Sequence, residues 1–320
     1  MEEAAPVQIK LRWAEPPKRV LLVRKHGDPA VTSIAMEKGR WLRERSLEVY
    51  VEASATDLDG FPVFNPEETP IDFILCIGGD GTLLHVAALF SESQPMPPII
   101  SFAMGSLGFL TPYNIAEFED ILAMVFAAHE EPVYIVLRMR LQCELVRAGQ
   151  DQPEATFMVL NEMLADRGSS AFLTALDLMI DGQHVTSVQA DGLIVATPTG
   201  STAYSMSAGG CIVSPNVPGV LITPICPHTL SFRPIVLPDC ALIDIRVPQT
   251  ARSTVSVSFD GRNPMVLERG DKIRVQMSRY PLPSINRFEK NCEWFDALRS
   301  KLHWNLREDQ KPLENPAAKM

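Results

Sequence analysis

The sequence predicts a two-domain protein: an α/β N-terminal domain with a parallel sheet, a mainly-β C-terminal domain, and a C-terminal helix packing back on the first domain. In the first part of the chain, short apolar runs alternate with helical patterns, which is typical of parallel strands joined by crossover helices. From residue 133 to residue 277, helical patterns nearly vanish and β-type runs follow one another. Helical spacing returns at residues 292–304, and a lone terminal helix needs a surface to pack against.

The domain boundaries follow from these changes of pattern. The 320 residues suffice for one large or two ordinary domains. We place the α/β domain at residues 18–130, joined by residues 286–306, and the β domain at residues 131–285. Polar composition predicts flexible tails at residues 1–17 and 307–320.

Strands and helices alternate through the first domain. The predicted strands are 19–23, 47–51, 73–77 and 98–102, and the predicted helices are 31–45, 83–90 and 115–128. Glycine-bearing loops follow the third and fourth strands, at residues 78–82 and 105–111. In parallel sheets, ligands bind at the carboxyl ends of the strands, where both loops fall.

The second domain is a series of short β-type runs. They lie at residues 134–146, 157–164, 172–180, 193–196, 220–225, 243–247 and 254–259. Asp181-Gly182 and Asp260-Gly261 are typical of hairpin turns. This half of the chain is therefore mainly β.

Composition and charge exclude several classes of protein. The chain is 46% hydrophobic and 21% charged, as globular proteins are, and its net charge of −10 argues against binding nucleic acid. No stretch approaches membrane-spanning length and no signal or transit peptide is evident, so we expect a cytoplasmic protein without a membrane partner. The last residues, Ala318-Lys319-Met320, faintly resemble a peroxisomal address, which leaves that location as a minor alternative.

Common metal and nucleotide motifs are missing. The six cysteines form no Cys-x-x-Cys pair, which argues against a zinc site or a disulfide framework. No histidine pair has metal-ligand spacing, although His85 follows the first glycine loop and could point at phosphates. A P-loop is absent, and the dinucleotide fingerprint fails because Leu84 stands where it needs glycine or alanine.

The loop Gly78-Gly-Asp-Gly-Thr82 predicts a phosphate site. Glycines let the backbone approach a ligand closely, and free amides at a helix start bind anions. Asp80 is unexpected there because a carboxylate repels phosphate. It could hold a metal ion, take a proton from an attacking hydroxyl, or only cap the helix.

Three further segments carry polar groups that suit a nucleotide. Residues 197–201 run from a buried strand into the possible helix 202–208, and their hydroxyls suit phosphate or ribose, although they could only be caps. Asn161-Glu162 interrupts an apolar run; the amide could pair with adenine and the carboxylate with ribose hydroxyls, or both could sit at an exposed strand end. Asp260 could be only a turn residue.

Taken together, these segments resemble the NAD kinase family, most closely its animal cytosolic members. The matches are the two glycine loops, Asn161-Glu162, Asp191-Gly192, and the segments 197–204, 224–234, 258–261 and 280–284. The resemblance spans residues 18–305, and the run 197–204 following Asn161-Glu162 makes it specific. One departure is Ala190, where the family pattern has glycine, so a methyl group would slightly narrow the approach of the backbone.

The resemblance implies that the chain moves the γ-phosphoryl group of ATP to the 2′-hydroxyl of the adenosine ribose of NAD. Asp80 would accept the proton and help to hold the Mg²⁺ that ATP carries, and Gly78, Gly79, Gly81 and Thr82 would cradle phosphates. Asp191 would come from a neighbouring subunit, since the family forms dimers or tetramers. The implied NAD-binding residues are Phe109, Asn161, Glu162, Gln189, Asp191, Thr202, Ala203, Tyr204, Ser205, Ser207 and Asp260.

Two other functions remain open at this point. A lipid kinase of the diacylglycerol or sphingosine type shares the glycine-aspartate loop and the two-domain plan, but it would need an apolar acyl channel. A non-catalytic module that senses NADP would bind nucleotide without turnover.

Overall fold

The computed structural model describes residues 9–90, 94–287 and 292–306. The first part of the chain forms β1 Lys10–Leu11, β2 Arg19–Arg24, α1 Pro29–Glu44, β3 Glu48–Val51, β4 Phe73–Ile77, α2 Asp80–Ala88, β5 Ile99–Ala103, β6 Tyr113–Asn114, α3 Phe118–Phe126 and β7 Val133–Arg138. The rest forms β8 Leu141–Val146, β9 Ala155–Val159, β10 Glu162–Asp166, β11 Thr174–Ile180, β12 Gln183–Ala190, β13 Gly192–Ala196, α4 Tyr204–Ser207, β14 Gly219–Ile225, β15 Ile235–Pro238, β16 Ile243–Arg246, β17 Val255–Phe259, β18 Arg262–Leu267, β19 Lys272–Met277, β20 Leu282–Asn286 and α5 Cys292–Leu302.

The first domain is built on a mixed sheet whose centre is parallel. In the described residues its strand order is β1-β7-β20-β5-β4-β2-β3, with β6 also paired to β5. Strands β2 to β6 and β20 pair in parallel, whereas β1 and β7 run antiparallel at one edge. Strands β4 and β5 are buried throughout, as parallel strands covered on both faces must be.

The second domain packs two antiparallel sheets around one apolar core. In the described chain each has six strands, ordered β15-β14-β13-β10-β17-β18 and β12-β11-β16-β19-β8-β9. The core between them includes Met163, Val195, Val257 and Ile273, all fully buried. Ala190 also belongs to this core, so its methyl group packs inside the domain and does not narrow a ligand's approach.

The predicted domain boundaries need correction at both ends of the β domain. Residues 134–146 are not one strand, because the chain turns after β7 and only β8 enters the second domain. Strand β20, predicted within the β domain, instead lies between β5 and β7. Sequence alone could not assign these strands, because an apolar strand suits either sheet.

The predicted N-terminal tail is partly ordered structure. Strand β1 pairs with β7, and the amide of Ile135 donates to the carbonyl of Ile9 at 3.1 Å. An open sheet edge presents unpaired backbone groups, so a short flanking segment can add to it. Residues 1–8 and 307–320, the rest of the predicted tails, lie outside the described residues, as do the final three residues considered as an address.

The C-terminal helix packs on the first domain, as predicted. The amide of Arg287 donates to Glu293 at 3.1 Å, and Ala297 and Leu298 are buried. With Gly108 and Tyr113, this helix lines a shared cavity beside the second glycine loop. None of the helices in the described ranges has the length and apolar composition needed to cross a bilayer.

Candidate active site

Loops from four neighbouring parallel strands meet at one edge of the first sheet. Residues 24–26 end or follow β2, Glu52 follows β3, the loop 78–82 follows β4, and the loop 105–111 follows β5. Parallel strands present their carboxyl ends together, so residues far apart in sequence converge there.

The glycines of the first loop have different roles. A side chain at Gly78 would place its Cβ 2.2 Å from Thr82 Oγ1, so this glycine lets the loop pack on itself. Gly79 and Gly81 are exposed, and a Cβ there would meet nothing within 4 Å. Gly79 is the N-cap of α2 and supplies no side-chain cap, which leaves a helix N-terminus suited to an anion.

Asp80 does not cap the helix, so that alternative is wrong. It is the first residue of α2, and its carboxylate turns to the second glycine loop. Oδ1 accepts from the Leu110 amide at 3.0 Å and from Thr111 Oγ1 at 3.1 Å, while Oδ2 accepts from the Phe109 amide at 2.9 Å. Each carboxylate oxygen has two lone pairs, so Oδ2 keeps one acceptor position free of these bonds.

Two residues support the position of Asp80 from behind. A Cβ at Gly108 would lie 1.9 Å from Asp80 Oδ1, so only glycine leaves room for the carboxylate. The buried guanidinium of Arg138 donates to the Phe109 carbonyl at 3.4 Å. Burial lowers the pKa of Arg138 to about 10, and the charge of Asp80 opposes that shift.

The Asn161-Glu162 pair lies against the first domain because of its neighbour Leu160. The chain breaks between β9 and β10, which belong to different sheets, and Leu160 at the break packs with Leu83 and Leu110 of the first domain. Leu110 is also a donor to Asp80. The structure therefore brings Asn161-Glu162 and Asp80 to the same boundary between the domains.

Asp260 holds this break in place. Its carboxylate accepts from the amides of Leu160 at 2.8 Å, Asn161 at 2.8 Å and Glu162 at 3.1 Å. Burial raises its pKa, although these amides oppose the shift. Asp260 is the turn residue of the β17–β18 hairpin, with φ 49°, and its side chain positions the site from behind.

The carboxylate of Glu162 has an oxygen that accepts no hydrogen bond from the described residues. Its Oε2 is buried and has no partner within the described ranges. Burial and the charge of Asp260 raise its pKa to about 7, and a hydrogen bond from the Tyr204 backbone opposes the shift. A buried carboxylate oxygen without a donor is costly, so this atom fits a ligand hydroxyl.

The predicted segment 197–208 folds against Asn161. The Thr197 amide donates to the Asn161 carbonyl at 2.8 Å, and a Cβ at Gly200 would lie 2.1 Å from that oxygen. The predicted helix 202–208 is a 3₁₀ turn at Thr199–Thr202 followed by α4. Thr202 and Ala203 are half-buried, Tyr204 and Ser207 are exposed, and Ser205 is buried with its hydroxyl 2.9 Å from Thr223 Oγ1.

Gln189 and Asp191 lie apart from this group. Strands β10 and β13 pair with Glu162 opposite Ala196 at one end and Asp166 opposite Gly192 at the other. Asp191, five residues from Ala196, therefore lies about 17 Å along the strands from Glu162, at ~3.4 Å per residue. Asp191 forms an ion pair with Arg167 at 2.8 Å, and Gln189 is exposed.

The structure places His85 at a cavity beside the first glycine loop, and sequence reasoning missed the other basic side chains that line it. A cavity of about 350 Å³ is lined by Gly79, Gly81, Thr82, His85, Arg24, Lys25, His26 and Arg262. Arg262, from β18 of the second domain, donates to the Gly81 carbonyl at 3.1 Å and to His85 Nδ1 at 3.1 Å. No local spacing could reveal a group contributed by two domains.

Glu52 lies behind the two histidines of this cavity. Burial opposes its ionisation, but its contacts with His85 and His26 outweigh that effect and lower its pKa. Because an arginine can only donate, His85 Nδ1 is the acceptor in its contact with Arg262, and its Nε2 carries the proton toward Glu52.

A phosphate-binding loop on an α/β domain, facing a polar turn of a β domain, defines a two-domain nucleotide-binding fold of the kinase type. The family models for the ATP-NAD kinase N-terminal and C-terminal domains match residues 20–130 and 160–287, respectively. The chain belongs to the NAD kinase family.

Known relatives agree with this assignment. A probable chloroplastic NAD kinase 2 of Oryza sativa subsp. japonica is 45% identical over 320 residues, which cover 96% of this chain and 32% of that protein. A yeast NADH kinase crystallised with NADH superposes with a TM-score of 0.82 at 31% identity, covering 95% of this chain and 92% of that one. An Archaeoglobus fulgidus NAD kinase in complex with ATP has a TM-score of 0.64 at 26% identity, covering 87% and 96%.

Proposed function

We propose that this chain transfers the γ-phosphoryl group of ATP to the 2′-hydroxyl of the adenosine ribose of NAD, making NADP. The observation that carries the proposal is the carboxylate of Asp80, held by three donors directly beside an uncapped helix N-terminus. Family membership supports the same activity. The chain spans about a third of the length of the plant relative.

The phosphate side of the site carries the chemistry. Phosphoryl transfer requires positioning and charge neutralisation more than covalent work by the protein. The exposed backbone at Gly79 and Gly81, with Thr82 at the cavity wall, binds the phosphates of ATP, and Arg262 contributes positive charge from the second domain. The 2′-oxygen attacks the γ-phosphorus, ADP leaves, and Asp80 Oδ2 accepts the hydroxyl proton.

The nucleoside side holds NAD. Asn161 pairs with adenine, and Glu162 accepts a hydrogen bond from a ribose hydroxyl at its unpartnered Oε2. Phe109, half-buried beside Asp80, flanks the adenine. Thr202, Ala203 and Tyr204 line the adenosine pocket with Ser207, while the buried Ser205 supports the turn through Thr223.

Cofactor, assembly and location complete the proposal. Mg²⁺ enters bound to ATP, where it neutralises phosphate charge, and the negative charge of Asp80 beside the glycine loop attracts it. Homo-oligomers bring Asp191 of one subunit toward the nicotinamide side of another, which is compatible with its distance from Glu162 within the chain. The protein acts in the cytoplasm.

The test measures NADP formation from NAD and Mg-ATP, repeated with NADH and with diacylglycerol as acceptors. We expect turnover with NAD. Transfer to diacylglycerol and none to NAD would favour a lipid kinase. The side chains that line the cavity beside the glycine loop are mostly charged or polar, however, which does not suit an acyl chain. Thermal stabilisation by NAD and NADP without any turnover would favour a sensing module.

A further inference from the structure

Three side chains distant in sequence meet at the cavity beside the first glycine loop, here called the phosphate cavity: His26 and His85 line it, and Glu52 lies behind them. His26 lies beyond β2, Glu52 beyond β3, and His85 on α2. His26 Nε2 lies 3.3 Å from Glu52 Oε1, and His85 Nε2 contacts Glu52 Oε2. One nitrogen or oxygen from each residue lies within 4.8 Å of the other two. The fold thus creates a ligand set that the spacing of the histidines in the sequence did not suggest.

The donor atoms and their separation suit a transition metal. Zinc binds nitrogen and oxygen ligands at about 2.0–2.2 Å in a tetrahedron, which places neighbouring ligand atoms about 3.3–3.6 Å apart. The 3.3 Å between His26 and Glu52 matches one edge of such a tetrahedron. Two imidazoles and one carboxylate favour zinc, cobalt or iron(II), whereas magnesium prefers oxygen ligands.

The burial of Glu52 gives a second reason. Its side chain is 6% exposed, and a buried carboxylate needs a cationic partner. Within the described ranges, its oxygens bond to the two histidines and to no lysine or arginine. The nearby cations are paired elsewhere: Arg24 with Asp57, and Lys25 with Asp28 at 3.2 Å.

We propose that His26, Glu52 and His85 bind one divalent transition metal ion of the zinc type, with its open coordination positions toward the phosphate cavity. Gly79, Gly81 and Thr82 line the same cavity, so phosphate oxygens can take those positions. This inference concerns metal binding by the free chain, so it does not depend on which acceptor the enzyme phosphorylates.

Metal binding also changes the contact between the domains. The ion takes His85 Nε2, and the ring proton moves to Nδ1. In the metal-free structure, Nδ1 accepts a hydrogen bond from Arg262 at 3.1 Å. A protonated Nδ1 cannot accept, so this bond is lost on metal binding, whereas Arg262 keeps its bond to the Gly81 carbonyl. Removing the Arg262 charge should therefore strengthen metal binding.

The test titrates the nucleotide-free chain with Co²⁺, followed by its visible d–d absorption, and with Zn²⁺, followed by calorimetry. We expect one ion per chain, and His26→Ala or Glu52→Gln should weaken binding by about 100-fold or more. The control His184→Ala removes an exposed histidine whose Nε2 lies 3.6 Å from Asp177, and it should change nothing. Arg262→Ala should bind more tightly.

Equal affinity of the wild type, His26→Ala and Glu52→Gln would overturn the site. Circular dichroism checks folding, and if the buried Glu52→Gln variant fails to fold, the exposed His26→Ala variant decides. Weaker binding by Arg262→Ala would contradict the proton shift within His85. Inorganic phosphate added to the Co²⁺-loaded chain should alter the absorption bands; an unchanged spectrum would overturn the orientation toward the cavity.

Discussion

Two carboxylates at the boundary between the domains are held in opposite ways. Asp80, on the phosphate side, accepts three hydrogen bonds from the loop 105–111. Glu162, on the nucleoside side, keeps a buried oxygen without a partner in the described chain, and its pKa rises to about 7 through burial and the charge of Asp260. The carboxylate on the phosphate side is therefore preorganised by its own hydrogen bonds, whereas the one on the nucleoside side needs a hydrogen bond from its ligand.

The origin of the difference lies in the two folds. The loops that follow parallel strands lie together at one edge of the sheet, so the carboxylate of Asp80 can accept from the amides of the neighbouring loop 105–111. In the β domain, the break between β9 and β10 turns the backbone amides at residues 160–162 toward Asp260. The Glu162 carboxylate thereby accepts from the Tyr204 backbone, while its Oε2 has no partner among the described residues.

The largest expected effect is that of Asp80→Asn. Loss of the proton acceptor should lower kcat by ~10²–10⁴, the usual contribution of a general base. The affinity for NAD should change little, because Asp80 acts on the reacting hydroxyl. Steady-state kinetics measures kcat, and a fluorescence titration measures the affinity for NAD. Wild-type turnover in the variant would contradict the role of Asp80 as proton acceptor.

Gly108→Ala tests whether the position of Asp80 matters as well as its charge. The added Cβ would lie 1.9 Å from Asp80 Oδ1, so the carboxylate must move. We expect kcat to fall by ~10–10²-fold, since small misplacements of a catalytic group are costly. Gly105→Ala is the matched control, because a Cβ there meets nothing within 4 Å. Equal activity of the two variants would refute the preorganisation of Asp80.

Asp260→Asn tests the support of the nucleoside side. An amide offers one acceptor oxygen to three backbone donors, so we expect a loss of about 1–3 kcal/mol in the free energy of unfolding. NAD affinity should fall with it. Asp181→Asn is the control, since Asp181 occupies the other Asp-Gly turn and accepts one bond, from Leu242 at 3.0 Å. Denaturant unfolding of both variants measures the difference.

Glu162→Gln should weaken NAD binding by about ten-fold at pH 8, the loss of ~1.4 kcal/mol expected for a hydrogen bond to a charged acceptor. In the wild type, NAD affinity should fall as the pH drops below about 7, where Glu162 becomes protonated. Calorimetric titrations across this pH range test both statements. A pH dependence that persists in Glu162→Gln would exclude Glu162 as its source.

The same group links stability to pH. Its folded pKa of about 7 lies above its ordinary value of 4.5. Its contribution to stability is therefore fully present below pH 4.5 and lost as the pH rises through about 7. The loss amounts to about 3 kcal/mol, and Glu162→Gln should remove it.

Local pattern was enough to predict the strand, glycine loop and helix around Asp80, because an apolar run that stops at glycines is a short-range signal. It could not assign β7 and β20 to the first sheet, since their apolar residues suit either domain. It also missed His26 and Arg262 at the cavity and Glu52 behind the histidines, because their proximity arises from strand order and from the contact between domains. The role of Asp260 as a support was hidden by its position in an ordinary turn.

A crystal structure of this chain with NAD bound would show whether Asp80 faces the hydroxyl that is phosphorylated. We expect Asp80 Oδ2 to lie within about 2.6–3.2 Å of the 2′-oxygen of the adenosine ribose, the reach of a general base. We also expect a ribose hydroxyl that donates to Glu162 Oε2. An adenosine bound with its 2′-oxygen remote from Asp80, or with Glu162 Oε2 still unpartnered, would contradict these expectations.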